Sequence, residues 1–213
     1  MKKRTVVLLS GGLDSCVAAT LAKQSSGDVL AVAIAYGQRH SCELDAARII
    51  ADELSIPLHL VRADVSSVVG SALLGSRAVP KGRGVDQIKA DATPATFVPA
   101  RNAMFLSIAA AFAVSVSAPL VCIGSNKDDS SGYPDCRPEF FRSFEMLSYL
   151  GGFPVDIWHP LTSKTKREVV SLGREIGAPI ELSWSCYSPA GVEGAETPCG
   201  NCDACTLRSE ALR

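Results

Sequence analysis

Four short stretches of the chain are apolar or nearly so without alternation: Thr5 to Leu9, Val29 to Tyr36, Leu58 to Val61 and Leu120 to Gly124. Such runs read as strands buried on both faces, the signature of a parallel sheet. Between them the period changes. Glu43 to Leu54 carries Leu44, Ala47, Ile50, Ala51 and Leu54 on one helical stripe, closed by Pro57. Two more helices are predicted, an Ala-rich one over Ala103 to Val116 and another over Lys166 to Ile176. The second opens on the capping-box pattern Thr165-Lys166-Arg167-Glu168 and closes at Gly177. Strands alternating with helices predict an α/β fold with a doubly wound parallel sheet, whose ligands collect beyond the C-terminal strand ends. From Asp64 to Thr96 the periodicity fades, broken by Gly70, Gly75, Pro80, Gly82, Gly84 and Pro94 and charged by Lys81, Arg83 and Lys89. A long mobile insertion is expected there, either a lid over a site or a surface loop.

With 213 residues, 47% hydrophobic and 20% charged, the chain can bury one sizeable core with an appendage. No apolar stretch approaches the roughly 20 residues that cross a bilayer. Met1-Lys2-Lys3-Arg4 imitates a leader, but the apolar run after it stops at glycines without a small-residue cleavage site. A cytoplasmic protein is expected. Lys plus Arg is 21 against 22 Asp plus Glu, a net charge of −1. That balance disfavours nucleic acid as a partner and favours small-molecule chemistry.

The turn that ends the first strand, Ser10-Gly11-Gly12-Leu13-Asp14-Ser15, has the chemistry of a phosphate cradle. Glycines let backbone N–H groups approach an anion, and a helix starting near Asp14 aims its unpaired N–H groups at the same point. Ser10 and Ser15 add hydroxyls, and Asp14 can hold a Mg²⁺ that bridges phosphate oxygens. The loop lacks the lysine of G-x-x-x-x-G-K-[ST] and is not G-x-G-x-x-G. An ordinary strand–helix connection capped by Asp and Ser is the plainer alternative.

At the C-terminus, Cys199-Gly-Asn-Cys202 and Cys202-Asp-Ala-Cys205 overlap as two C-x-x-C steps, with Cys186 upstream. Four thiolates from tight turns suit a tetrahedral Zn²⁺ with no open position, hence a structural one. A redox dithiol, an iron–sulfur cluster and buried free cysteines are the alternatives. Cys16 and Cys122 read as core residues.

Further segments point to a ligand. Tyr36-Gly37-Gln38-Arg39-His40 follows the second strand, and Phe97-Val98-Pro99-Ala100-Arg101-Asn102 precedes the Ala-rich helix, where a guanidinium can grip phosphate or carboxylate. Ser130 to Phe141 reads as a stiff Pro-bounded loop in which Tyr133, Asp135, Arg137 and Glu139 can stack on and hydrogen-bond a flat heterocycle. Lys166 in the first turn of its helix opposes the dipole, a local cost that a phosphate partner would offset. Taken alone, each of these loop segments is more often a capped loop with surface salt bridges, and Lys166 is as often a solvated side chain.

The S-G-G-x-D-S loop resembles the PP-loop of the ATP pyrophosphatase superfamily, which splits ATP into AMP and pyrophosphate. Together the motifs resemble the 7-cyano-7-deazaguanine synthase family of queuosine precursor biosynthesis over nearly the whole chain. The resemblance is carried by residues 10–15, Tyr36 to His40 with Glu43, residues 97–102, Gly132-Tyr-Pro-Asp-Cys-Arg-Pro-Glu139, Pro160-Leu161, Lys166, Glu168, Ser185-Cys186-Tyr187 and residues 198–205. Lys127 to Ser130 and the stretch between Cys186 and Cys199 depart from the pattern. The resemblance implies an adenine nucleotide alpha hydrolase-like domain over 1–180 with a zinc-binding extension over 181–213. It implies a ligase that turns 7-carboxy-7-deazaguanine, ammonia and ATP into the nitrile through adenylated and amide intermediates. Leu9, Ser10, Gly11, Gly12, Leu13, Asp14, Ser15 and Lys166 would bind ATP, with Asp14, Arg101 and Lys166 catalytic. Gln38, His40, Arg101, Asn102, Tyr133, Asp135, Arg137 and Glu139 would seat the deazapurine, and Cys186, Cys199, Cys202 and Cys205 would hold zinc. Cys136 would be positional, and the assembly a homodimer. A tRNA thiolase, a relative that attaches the deazaguanine to a protein amine, and a non-enzymatic zinc module are the competing readings.

Overall fold

The computed structural model describes residues 3–38, 41–67, 71–74, 78–192 and 195–213. Five strands, β1 (Thr5–Leu8), β2 (Val29–Ala35), β3 (Leu58–Arg62), β4 (Leu120–Ile123) and β5 (Asp156–Trp158), form one parallel sheet in the order β3-β2-β1-β4-β5. The helices are α1 (Leu13–Ser26), α2 (Cys42–Glu53), α3 (Val85–Lys89), α4 (Arg101–Ser115), α5 (Asp129–Gly132), α6 (Pro138–Leu150), α7 (Lys166–Glu175) and α8 (Asp203–Leu212).

The central strands are apolar on both faces because both faces are covered. Val7 and Leu9 enter one core with residues of α1, α2 and α7, while Val6 and Leu8 enter a second with α4 and α6. Small residues set the spacing. Ala18, Ala19 and Ala22 of α1 are fully buried, and a Cβ on Gly173 of α7 would stand 2.9 Å from Val17 Cγ2. A glycine there lets α7 lie against α1. The capping box of α7 forms as the sequence predicts: Thr165 N donates to Glu168 Oε2 at 2.7 Å, and Glu168 N to Thr165 Oγ1 at 3.3 Å.

The strand order reverses between β1 and β4, so the loops leaving these two strands border a crevice at the C-terminal edge of the sheet. They touch. A Cβ on Gly124 would lie 2.6 Å from the Asp14 carbonyl oxygen, a contact only glycine permits.

One expectation changes. Residues 130–141 are not a loop: α5 ends at Gly132, Pro134–Cys136 makes one 3-10 turn, and α6 begins at Pro138. Proline at the first helical position starts a helix rather than breaking it. The stretch 64–96 is, in its described residues, a packed strap that carries α3 and buries Ala72, Leu73, Leu74 and Val79. No helix among the described residues is long and apolar enough to cross a membrane.

Candidate active site

The phosphate loop closes on itself. Ser15 Oγ donates to the Gly12 carbonyl at 2.9 Å and accepts from Ser10 N at 3.2 Å, with Ser10 Oγ 3.1 Å away. Gly11 has φ +84°, and a Cβ there would be 2.0 Å from the Glu43 carbonyl oxygen, so the loop can rest on α2 only with glycine. From the other side Trp184 N donates to the Gly11 carbonyl at 2.8 Å. The first turn of α1 therefore points its free N–H groups into the crevice from a fixed base.

Lys166 crosses from α7 to pair with Asp14, and its own N–H donates to Asp128 Oδ2 at 2.9 Å. Burial works against the ammonium, but Asp14 and Asp129 outweigh it and hold its pKa above the ordinary value. Burial raises the Asp129 carboxyl, aided by Asp14 and opposed by Lys166. Asn126 binds Asp129 in return, through Nδ2 to Oδ2 at 2.7 Å. Asp14 Oδ1 is buried without a hydrogen-bond partner. Such an orphaned carboxylate oxygen beside a phosphate loop suits a divalent cation.

Arg101 starts α4 after Ala100, whose φ of +61° turns the chain into the helix. Burial opposes its charge, while neighbouring groups, Asp135 the carboxylate among them, hold its pKa above the ordinary value. Across from it, burial pushes Glu43 up to about 6 despite Arg101. Tyr36 is pushed to about 12 and Tyr187 well above the ordinary phenol, both chiefly by burial, so both stay neutral. Cys136 is likewise pushed to about 12 by burial, then Asp129, which keeps it a thiol.

These groups line one cavity of about 290 Å³, near the lower end of the roughly 300–1,000 Å³ that small ligands occupy. It unites Ser10, Gly12, Leu13, Asp14, Ser15, Arg101, Asn102, Tyr133 and Lys166 of the expected set. Leu9 is fully buried behind the loop, and Gly11 shapes it from below. Gln38 accepts from Tyr36 N through its Oε1 at 2.8 Å and does not line the cavity. Asp135 is buried one layer back, accepting from Asn102 N at 3.1 Å. Arg137 donates to the Ser130 carbonyl at 3.1 Å, and Glu139 pairs with Arg142 in solvent; neither lines the cavity. His40 lies outside the described residues. Sequence reasoning passed over Asp129, Trp184, Asp91 and Asp203 as lining groups and gave Glu43 and Tyr187 no role of their own. The last two stand among the residues that carry the family resemblance.

The sulfur atoms of Cys186, Cys199, Cys202 and Cys205 lie within 4.8 Å of one another. A tetrahedral ion with bonds of about 2.3 Å would set them about 3.8 Å apart, so little movement is needed. Cys186 Sγ accepts from Cys199 N at 3.3 Å and Ser188 N at 3.4 Å, the polarity a thiolate requires. This cluster can hold a metal.

A family model described as queuosine biosynthesis protein QueC matches residues 4–213. The chain is 42% identical to the 7-cyano-7-deazaguanine synthase of Myxococcus xanthus, covering 100% of this chain and 94% of that protein. It is 43% identical to the protein of the same name from Kineococcus radiotolerans, over 98% and 92% respectively. Among solved structures it resembles the U34-tRNA thiolase NcsA from Methanococcus maripaludis with its 4Fe-4S cluster. The TM-score is 0.51 at 17% identity, over 99% of this chain and 64% of that one. At that identity the likeness concerns the fold alone.

Proposed function

Because the chain belongs to the QueC family of queuosine biosynthesis proteins, matched over residues 4–213, we propose that it converts 7-carboxy-7-deazaguanine and ammonia to 7-cyano-7-deazaguanine at the expense of ATP. One observation carries the reading: a phosphate loop, a lysine and an arginine converge on a cavity beside neutral tyrosines, within a chain whose relatives bear that name.

The chemistry has one recurring need, a good leaving group in place of an oxygen. The carboxylate attacks the α-phosphate of ATP and releases pyrophosphate; ammonia then displaces AMP to give the amide. A second adenylation of the amide oxygen, followed by loss of AMP, leaves the nitrile. The N–H groups of α1 receive the departing pyrophosphate, and Lys166 and Arg101 offset the charge that builds there. Asp14, through its unpartnered Oδ1, would hold Mg²⁺, which when bound neutralises phosphate oxygens. Tyr36, Tyr133 and Tyr187 offer flat walls to a deazapurine. With Glu139 and Arg137 outside, Glu43 is the cavity carboxylate we assign to the heterocycle's N–H edge. Cys136, a buried thiol, serves as packing.

We also infer that the four cysteines hold a structural Zn²⁺. One ion at the centre of sulfurs this close satisfies all four, whereas a multi-iron cluster spreads its cysteines wider. Met146, Leu147, Tyr149 and Leu150 at the end of α6 offer one exposed apolar surface for a homodimer contact.

Mass spectrometry of the protein with ATP, Mg²⁺, ammonium and 7-carboxy-7-deazaguanine tests the reaction. Nitrile with about two AMP per turnover is expected, one for each activation. AMP without nitrile points to the conjugating relative instead, and no AMP at all removes the reading.

A further inference from the structure

Arg83 lies in the strap, outside the cavity lining, yet both of its partners line the cavity. Its Nη1 donates to Asp91 Oδ2 at 2.6 Å and its Nε to Asp203 Oδ1 at 3.1 Å, while Nη2 pairs with the other oxygen of Asp203. Asp203 follows Cys202 and is nearly buried. The main chain repeats the link: Lys81 bridges to Cys202, and Gly82 N donates to the Asn201 carbonyl at 2.8 Å. The strap is thus fastened to the turn that carries the third of the four cysteines.

From this fastening the strap runs on through α3 to form one wall of the cavity, with Ile88, Lys89, Asp91, Pro94 and Thr96 facing inward. The wall meets the opposite side at two points. Thr96 Oγ1 lies 2.8 Å from Tyr133 Oη, and Pro94 Cγ lies 3.0 Å from where a Cβ on Gly132 would stand.

We propose that Arg83 is a positioning residue that secures this wall to the four-cysteine turn and so holds the cavity closed around its carboxylated heterocycle. The planar guanidinium engages two carboxylates at once, which an ammonium cannot do with the same geometry. Without it Asp91 and Asp203 are like charges on adjoining segments, and their repulsion drives the wall outward. The identity of the heterocycle rests on the reaction proposed above; the attachment of the strap does not.

The test compares full-chain, metal-loaded wild type with Arg83→Ala, Arg83→Lys and Asp91→Asn. Metal per chain, KM and kcat for 7-carboxy-7-deazaguanine, and the rate of thermolysin cleavage within residues 78–96 are measured together. Thermolysin is chosen because it does not read arginine. For Arg83→Ala we expect full metal content, KM raised about tenfold with kcat within about threefold, and strap cleavage about tenfold faster. Arg83→Lys should recover only part of both losses. Asp91→Asn leaves the Asp203 pair intact beside Cys202, should move KM and cleavage the same way by smaller factors, and decides the matter if Arg83→Ala does not fold. Unchanged KM or unchanged cleavage overturns the proposal, as does loss of metal together with a fall in kcat. Should wild type make no nitrile, the reaction reading fails by itself, and faster strap cleavage in the variants still upholds Arg83 as the fastening.

Discussion

The cavity has a floor and a roof built on different physics. The floor consists of strand ends and the first turns of α1, α4 and α7, and it stands on two apolar cores that pack from both faces of the sheet. The roof consists of the strap and the cysteine turn, whose small cluster of buried residues is Ala72, Val79, Cys186, Cys202 and Cys205. Area burial can position the floor without help. The strap sends Leu73 and Leu74 into the second core, but its junction with the cysteine turn rests on a metal-sized cysteine cluster and a few polar links. Ser10 to Ser15, Arg101 and Lys166 stand on the floor, and the strap supplies the wall that faces them.

The sharpest way to break this contrast is Cys202→Ser, which removes a fully buried thiol of the cysteine cluster at the root of the roof. Loss of metal and of about 4 kcal/mol or more is expected. The chain's two tryptophans allow the halves to be followed apart: Trp184 lies in the roof and Trp158 in β5. In single-tryptophan forms of the variant Trp184 should respond to denaturant before Trp158; coincident curves would mean that roof and floor are one cooperative unit.

Lys166→Ala acts on the floor alone. A loss of roughly 10²–10³ in kcat is expected, with metal content unchanged. Next comes Gly11→Ala, where a side chain at φ +84° must also displace the Glu43 carbonyl. Strain of about 1–3 kcal/mol should appear in denaturant unfolding and as a raised KM for ATP. The smallest effect concerns pH. Native Glu43 keeps its proton to about 6 against an ordinary 4.5. The native state therefore binds more protons than the unfolded chain between these values, and stability falls as pH rises through that window. Glu43→Gln should flatten this slope, read as the change in thermal midpoint between the two ends of the window. An unaltered slope would assign it to another group.

The same division decides what could be read from sequence. The floor is local: Ser10 to Ser15 are neighbours in the chain and in space, and the capping box of α7 spans four residues. The roof is not. Arg83 and Asp203 are 120 positions apart, so in the chain Arg83 was one more charge in a glycine-rich stretch. Glu139 and Arg137 lie outside the cavity lining for a related reason. Once Pro138 starts α6, Glu139 takes the outer face and pairs one turn on with Arg142. β5, three residues long at the sheet edge, and α8, inside the cysteine tail, carry too little periodicity to be read.

The bond from Trp184 N to the Gly11 carbonyl joins roof to floor, and it belongs to the main chain at both ends. Nineteen of the twenty residues would donate it equally well, since proline alone lacks the N–H. An alanine scan would therefore pass straight over this seam, and sequence variation at position 184 would carry no trace of it. The connection between the nucleotide end of the molecule and its cysteine end is written in a part of the polypeptide that ordinary mutagenesis does not edit.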